Sequence, residues 1–178
     1  MTYEVAYLDR DGTINIDKHY LSDPTAFVFC AGALEALKLL NDQGLDLVII
    51  TNQSGIARGY LDQNVLLEIH NIMCEKLDAE GIKLAGIYAC PHGPEDQCKC
   101  RKPLPGLIHQ AEVDLGVRPG IMIGDSKRDV EAGQAAGLDT IGLFSEQTAK
   151  QLITPPSALA DNLLDAAYWV LDRMKAHE

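Results

Sequence analysis

Leu8-Asp9-Arg10-Asp11-Gly12-Thr13-Ile14-Asn15 follows directly on the short apolar run Val5-Ala6-Tyr7-Leu8. The run reads as a buried parallel strand, apolar on both faces. Asp and Gly are poor strand residues, so the chain is expected to leave the sheet at Asp9, at the carboxyl edge where open α/β sheets bind ligands. Continued alternation would put Asp9 and Asp11 on one side of the chain, a few ångströms apart. Two such carboxylates repel unless a cation or a shared proton separates them. With Mg²⁺ present, Asp9 can stay ionised as a nucleophile and Asp11 can hold a proton for a leaving group. Taken alone, Asp-x-Asp-Gly reads equally well as a turn, so the rest of the chain decides.

The pattern repeats outward from this stretch. Residues 33–43 carry Ala33, Leu34, Leu37 and Leu40 at helical spacing, with Gly44 as the stop. Residues 45–50 read as a second strand, running into Thr51-Asn52-Gln53-Ser54-Gly55. Asp62 is placed to cap the longest helix, whose buried stripe is Val65, Leu66, Ile69, Ile72, Met73 and Leu77. His70 reads as a surface histidine off that stripe, and Cys30 and Cys74 as packed thiols. Further strands are expected at 84–89, 121–123 and 140–143, and further helices at 107–115, 129–136 and 162–174. This β-α alternation argues for an α/β fold, a three-layer α/β/α Rossmann-like parallel sheet, in a single domain over residues 1–178.

The chain has 178 residues, enough for one domain with a real core. With 15 basic and 26 acidic residues its formal charge is −11, which argues against nucleic-acid and anionic-membrane partners. Yet Arg10, Lys18, Arg58, Lys99, Arg101, Lys102, Lys127 and Arg128 cluster in or beside the motifs. A locally positive site on an acidic protein suits a small anionic substrate. No basic stretch leads into an apolar core at the start, and no apolar run has the length of a membrane span, so a cytoplasmic location is expected. Three of the five cysteines fall within residues 90–100, which fits metal binding in a reducing compartment better than a disulfide framework.

Two constellations carry chemistry. In a parallel sheet all strand carboxyl ends share one edge, so Asp9 and Asp11, Thr51 and Asn52, Arg101 and Lys102, and Asp125 and Asp129 can converge. Three or four carboxylates make a hard oxygen site suited to Mg²⁺. Thr51, Asn52 and Lys102 can stabilise phosphate oxygens, and Arg101 can grip an anion with two bonds. Neither nucleotide-binding glycine pattern is present. The parts fit phosphoryl transfer through an aspartyl-phosphate. The second constellation is Cys90, His92, Cys98 and Cys100, the ligand number of a closed tetrahedral Zn²⁺ site. Such a zinc would be structural, rigidifying the loop over 90–103 and positioning Arg101 and Lys102.

Asp9-x-Asp11-Gly12-Thr13, the strand-end Thr51-Asn52, Lys102, and Gly124-Asp125 with Asp129 resemble the four motifs of the haloacid dehalogenase superfamily. Asp9 to Asn15, Thr51 to Gly59, Cys90-Pro91-His92 and Cys98-x-Cys100-Arg101-Lys102-Pro103 resemble more closely its heptose bisphosphate phosphatases, whose sisters are the histidinol phosphatases. The resemblance implies an Mg²⁺-dependent phosphatase without a large cap domain. It implies Asp9 as nucleophile, Asp11 as acid and base, and Asp125 as a further Mg²⁺ ligand beside Asp9 and Asp11. Thr51 and Lys102 would stabilise the phosphoryl group. Asp17, Lys18, His19 and Tyr20, with Asn52, Gln53, Ser54, Arg58 and Arg101, would line the substrate site. The expected partner is a small phosphorylated sugar, the expected state a monomer, and the expected role the supply of a heptose precursor for lipopolysaccharide or other glycans. Two departures stand out. The five-residue gap between His92 and Cys98 is shared with the histidinol type, and Ser126 stands where the family often has Lys, with Lys127 displaced by one. Histidinol phosphate is therefore an alternative substrate, and a catalytically idle zinc-stabilised binding domain is an alternative of another class.

Overall fold

The computed structural model describes residues 2–176. Six strands, β1 (Val5–Leu8), β2 (Asp46–Asn52), β3 (Leu84–Cys90), β4 (Gly120–Gly124), β5 (Asp139–Gly142) and β6 (Ala158–Leu159), form one sheet of order β3-β2-β1-β4-β5-β6. Every pairing is parallel. The helices are α1 (Ala33–Asp42), α2 (Gln63–Ala79), α3 (Gly106–Leu115), α4 (Lys127–Ala135), α5 (Glu146–Ala149) and α6 (Leu163–Lys175). The architecture is the α/β/α sandwich that the alternation implied. The short α5 and the two-residue β6 were not expected. They lie between β5 and α6, in a mixed stretch with no apolar periodicity.

Alternation within the strands divides the core. Ala6, Leu8, Leu47, Ile49, Ile121 and Ile123 face α1, α2 and α6. Val5, Tyr7, Val48, Ile50 and Met122 face α3 and α4. Both faces being apolar, the strands read as continuous hydrophobic runs. Among the described residues no helix is long and apolar enough to cross a membrane.

The strand order sets the site. From β1 the chain builds outward to β2 and β3, then returns to the other flank of β1 to lay down β4. Connections therefore diverge between β1 and β4 at their carboxyl ends, opening the crevice where such sheets hold ligands. Leu8 is in register with Ile49 on one side and Ile123 on the other, so Asp9 emerges between the ends of β2 and β4. The main-chain N–H of Asp9 still donates to Ile123 O, 3.0 Å away.

Candidate active site

After Asp9 the chain coils. The carbonyl of Arg10 accepts from the N–H groups of Thr13, Ile14 and Asn15, which ends the extended alternation. Asp9 and Asp11 therefore point to different places. Asp9 joins Asp125 and Asp129, with ligand oxygens within 4.8 Å of one another. Asp11 lies outside that cluster. Its Oδ1 accepts from Asn15 Nδ2 at 3.0 Å and its Oδ2 from Gln53 Nε2 at 2.8 Å, while Arg10 Nη2 donates to both oxygens. Of the expected metal ligands Asp9, Asp11 and Asp125, the carboxylates of Asp9 and Asp125 converge, joined by Asp129, while the turn rotates the Asp11 carboxylate toward its own set of donors.

Gly12 permits this turn. Its φ is +82°, and a Cβ there would stand 2.0 Å from Asp125 Oδ2. Asp129 reaches the cluster from the first turn of α4. Its Oδ2 caps the helix by accepting from Ser126 N and Oγ at 2.9 and 2.7 Å, which leaves Oδ1 facing Lys102. The sequence pairs Asp129 with Asp125, and the Ser-x-x-Asp capping pattern was the signal for its orientation.

Lys102 is buried. Its Nζ sits 2.8 Å from Asp9 Oδ1 and 2.6 Å from Asp129 Oδ1, and donates to Ile50 O. Burial pulls its pKa down, but Asp129 and Asp9 outweigh that and raise it, so it stays cationic. One lysine does not balance three carboxylates. Burial, Asp129 and Asp125 push Asp9 well above the usual carboxylate range against the pull of Lys102. Burial and Asp129 push Asp125 up to about 6. A surplus of hard oxygen donors at a sheet edge fits a divalent cation such as Mg²⁺. Asp11 is the opposite case. Burial favours its neutral form, but Arg10 and the hydrogen bonds from Asn15, Arg10 and Gln53 win and hold it below the ordinary value.

These groups floor an open cavity of about 360 Å³. Asp17, His19, Tyr20, Asn52, Gln53, Ser54, Arg58 and Arg101 of the expected substrate site border it. Lys18 does not, and neither does Thr51, which is buried with its Oγ1 accepting from Gln53 Nε2. Asn52 reaches the cavity, but its amide is committed to Lys102, donating to the lysine carbonyl and accepting from its N–H, both at 3.0 Å. It positions the lysine and keeps one Nδ2 hydrogen to donate. Tyr20 stacks on Tyr60 with ring centroids 4.6 Å apart and packs on Gly55, where a Cβ would come within 3.0 Å of the ring. From α4 the cation at the cavity is Arg128, while Lys127 turns away to Gln151. Among the described residues Arg58, Arg101 and Arg128 form no ion pair.

Cys90, His92, Cys98 and Cys100 also converge. Cys90 Sγ is 3.7 Å from Cys98 Sγ, 3.1 Å from Cys100 Sγ and 3.5 Å from His92 Nδ1, and His92 Nδ1 is 3.3 Å from Cys100 Sγ. Ligands of tetrahedral zinc stand about 3.5 to 3.8 Å apart, so this soft donor set fits zinc, with the Cys90–Cys100 edge compressed. Arg101 Nη1 donates to His92 O at 3.1 Å, tying the rim of the cavity to this loop. His70 is the residue the sequence reading misplaced. It is buried, 9% exposed, with Nε2 3.2 Å from Arg10 Nη1. Its spacing from Leu66 and Met73 puts it on the buried face of α2.

Comparison with known proteins agrees with this geometry. A family profile described as HAD-hydrolase-like matches residues 99–166. The D-glycero-beta-D-manno-heptose-1,7-bisphosphate 7-phosphatase of Haemophilus ducreyi is 41% identical over 175 residues, covering 93% of this chain and 95% of that protein. The protein of the same name from Helicobacter pylori strain J99 is 40% identical, covering 95% and 98%. The crystal structure of D,D-heptose 1,7-bisphosphate phosphatase from B. bronchiseptica, complexed with magnesium and phosphate, superposes with a TM-score of 0.85 at 33% identity, over 97% of this chain and 99% of that one.

Proposed function

The chain belongs to the haloacid dehalogenase-like hydrolases, in the branch of the heptose bisphosphate phosphatases, and on that premise we propose that it removes the 7-phosphate of D-glycero-D-manno-heptose 1,7-bisphosphate. It is a phosphoric monoester hydrolase. The carrying observation is one cavity that has Asp9, Asp125, Asp129 and Lys102 at its floor and Arg58, Arg101 and Arg128 around it. The floor suits a phosphate being transferred, and the unpaired guanidinium groups suit a second phosphate that stays on the sugar. The β configuration in the relatives' names makes the β anomer the expected substrate. The product would feed synthesis of nucleotide-activated heptose for lipopolysaccharide or other glycans.

Asp9, Asp125 and Asp129 would hold Mg²⁺, with the Asp11 carboxylate outside that cluster. Bound there, Mg²⁺ would neutralise charge on the transferring phosphate oxygens. Asp9 attacks phosphorus, and the bond from phosphorus to the sugar oxygen breaks. Lys102 favours the ionised form of Asp9, which a bound cation would complete, and it offsets the charge that builds on the phosphoryl group. Asp11 starts as a carboxylate, so the proton for the leaving oxygen has to arrive with the ester, whose second ionisation lies near pH 6. Asp11 takes that proton and passes it to the sugar oxygen. It then accepts a proton from the water that attacks the Asp9 acyl phosphate, releasing inorganic phosphate. Thr51 acts behind Gln53, and Asp17, His19, Tyr20 and Ser54 close around the sugar in place of a cap. Cys90, His92, Cys98 and Cys100 would hold a structural zinc.

The test is phosphate release in Mg²⁺, comparing heptose 1,7-bisphosphate with histidinol phosphate, with Asp9→Asn as the blank. The expected result is a large kcat/KM preference for the bisphosphate and loss of turnover in the variant. Preference for histidinol phosphate would make the five-residue spacing from His92 to Cys98 the better guide. Full activity in Asp9→Asn would remove the nucleophile.

A further inference from the structure

Arg10 is completely buried and does not border the cavity, yet it touches the group assigned the proton transfers. Its two terminal nitrogens are spent differently. Nη2 donates to Asp11 Oδ1 at 2.9 Å and Oδ2 at 2.8 Å, and Nη1 lies 3.2 Å from His70 Nε2. A guanidinium has donors only. His70 Nε2 must therefore accept, which fixes the imidazole as neutral with its proton on Nδ1. Burial, and then the Arg10 charge, push the His70 pKa down to about 4, in keeping with that state. Among the described residues these two contacts are the hydrogen bonds that orient the guanidinium plane.

We propose that Arg10 and His70 are positioning residues for the phosphatase reaction, with His70 on α2 orienting Arg10 and Arg10 holding the Asp11 carboxylate in the pose that serves the leaving oxygen. The proposal rests on the reading of Asp11 as the acid and base. Asn15 and Gln53 each fix one carboxylate oxygen at one point. Arg10 Nη2 alone is shared by both, so it anchors the head of the carboxylate while Asn15 and Gln53 fix its rotation. The orientation of Arg10 in turn depends on an acceptor that the catalytic turn does not supply and α2 does. Neither side chain touches substrate, and the effect runs through Asp11.

The experiment compares kcat and KM for heptose 1,7-bisphosphate in the Mg²⁺-loaded protein across His70→Leu, His70→Gln, Arg10→Lys and Asp11→Asn. Leucine keeps apolar packing and removes the acceptor, whereas the glutamine side-chain oxygen can still accept from Nη1. The expected result is a kcat loss of about tenfold in His70→Leu, with KM within about twofold of the original, and recovery of most of it in His70→Gln. Asp11→Asn should be inactive. Unchanged kcat in His70→Leu alongside an inactive Asp11→Asn overturns the positioning role and leaves the acid and base in place. Equal losses in the leucine and glutamine variants also overturn it, since packing alone would then explain them. Turnover in Asp11→Asn overturns both assignments. Should His70→Leu fail to fold, Arg10→Lys decides. A lysine cannot bridge Asp11 and His70 together, so kcat should fall with KM retained, and unchanged kcat contradicts the proposal.

Discussion

Asp9 and Asp11 are separated by one residue and sit in opposite electrostatic settings. Asp9 looks onto two more carboxylates and is raised, whereas Asp11 is surrounded by donors and is lowered. Gly12 makes the separation possible, because its left-handed backbone and missing Cβ let Asp125 pack against the turn. Gly12→Ala should therefore cost about 1–2 kcal/mol from backbone strain alone and should also displace Asp125. Thermal unfolding and kcat together check this, and wild-type values for both would contradict it. His70 gives a prediction in pH. Arg10 and Asp11 are the charged groups that face it. Its folded pKa of about 4 lies below the ordinary value of 6.5. Stability is then intact above pH 6.5 and falls as pH drops toward 4, by at most about 3 kcal/mol. His70→Gln should flatten that slope in denaturant titrations, and an unchanged slope would count against a neutral buried imidazole. The motif residues were legible because their types are wrong for a strand. His70 was not, because a search for apolar periodicity passes over a polar residue at a buried position. Its spacing from Leu66 and Met73 was the available clue.

At the scale of elements, most of the chain was readable. The apolar runs became β1 to β5, and Asp62 does cap α2, its carboxylate accepting from Val65 N. Strand β2 continues through Thr51 and Asn52, so these two are held by the sheet and serve Gln53 and Lys102 rather than standing free in a loop. The short β6 carries too few residues for alternation to register. The loop over 90–103 has few apolar side chains of its own, and its Cys and His residues converge on one point. Removing zinc while keeping Mg²⁺ should loosen this loop and release Arg101 from His92. KM for the bisphosphate should then rise more than kcat falls. Proteolytic sensitivity and steady-state kinetics read the two effects, and full activity in verified zinc-free protein would contradict the link.

At the scale of the molecule, the order of the strands does what no single motif can. Bringing β4 back beside β1 places residues 9, 102, 125 and 129 around one crevice, although they come from distant parts of the chain. Although the formal charge is −11 and Asp17 also borders the cavity, Arg58, Arg101 and Arg128 border it without ion pairs among the described residues. The sheet edge could be inferred from sequence, since parallel strands share a carboxyl end. That the Asp11 carboxylate turns out of the cluster there could not, because that depends on the coil after Asp9. A cavity with a transfer floor and a cationic rim should cleave one end of a bisphosphate and hold the other. The most direct check is to follow heptose 1,7-bisphosphate by phosphorus NMR in Mg²⁺ as the protein acts on it. The signal of the primary ester at carbon 7 should disappear while the anomeric phosphate at carbon 1 persists. Loss of the anomeric phosphate first, or no loss at all, would contradict the assignment.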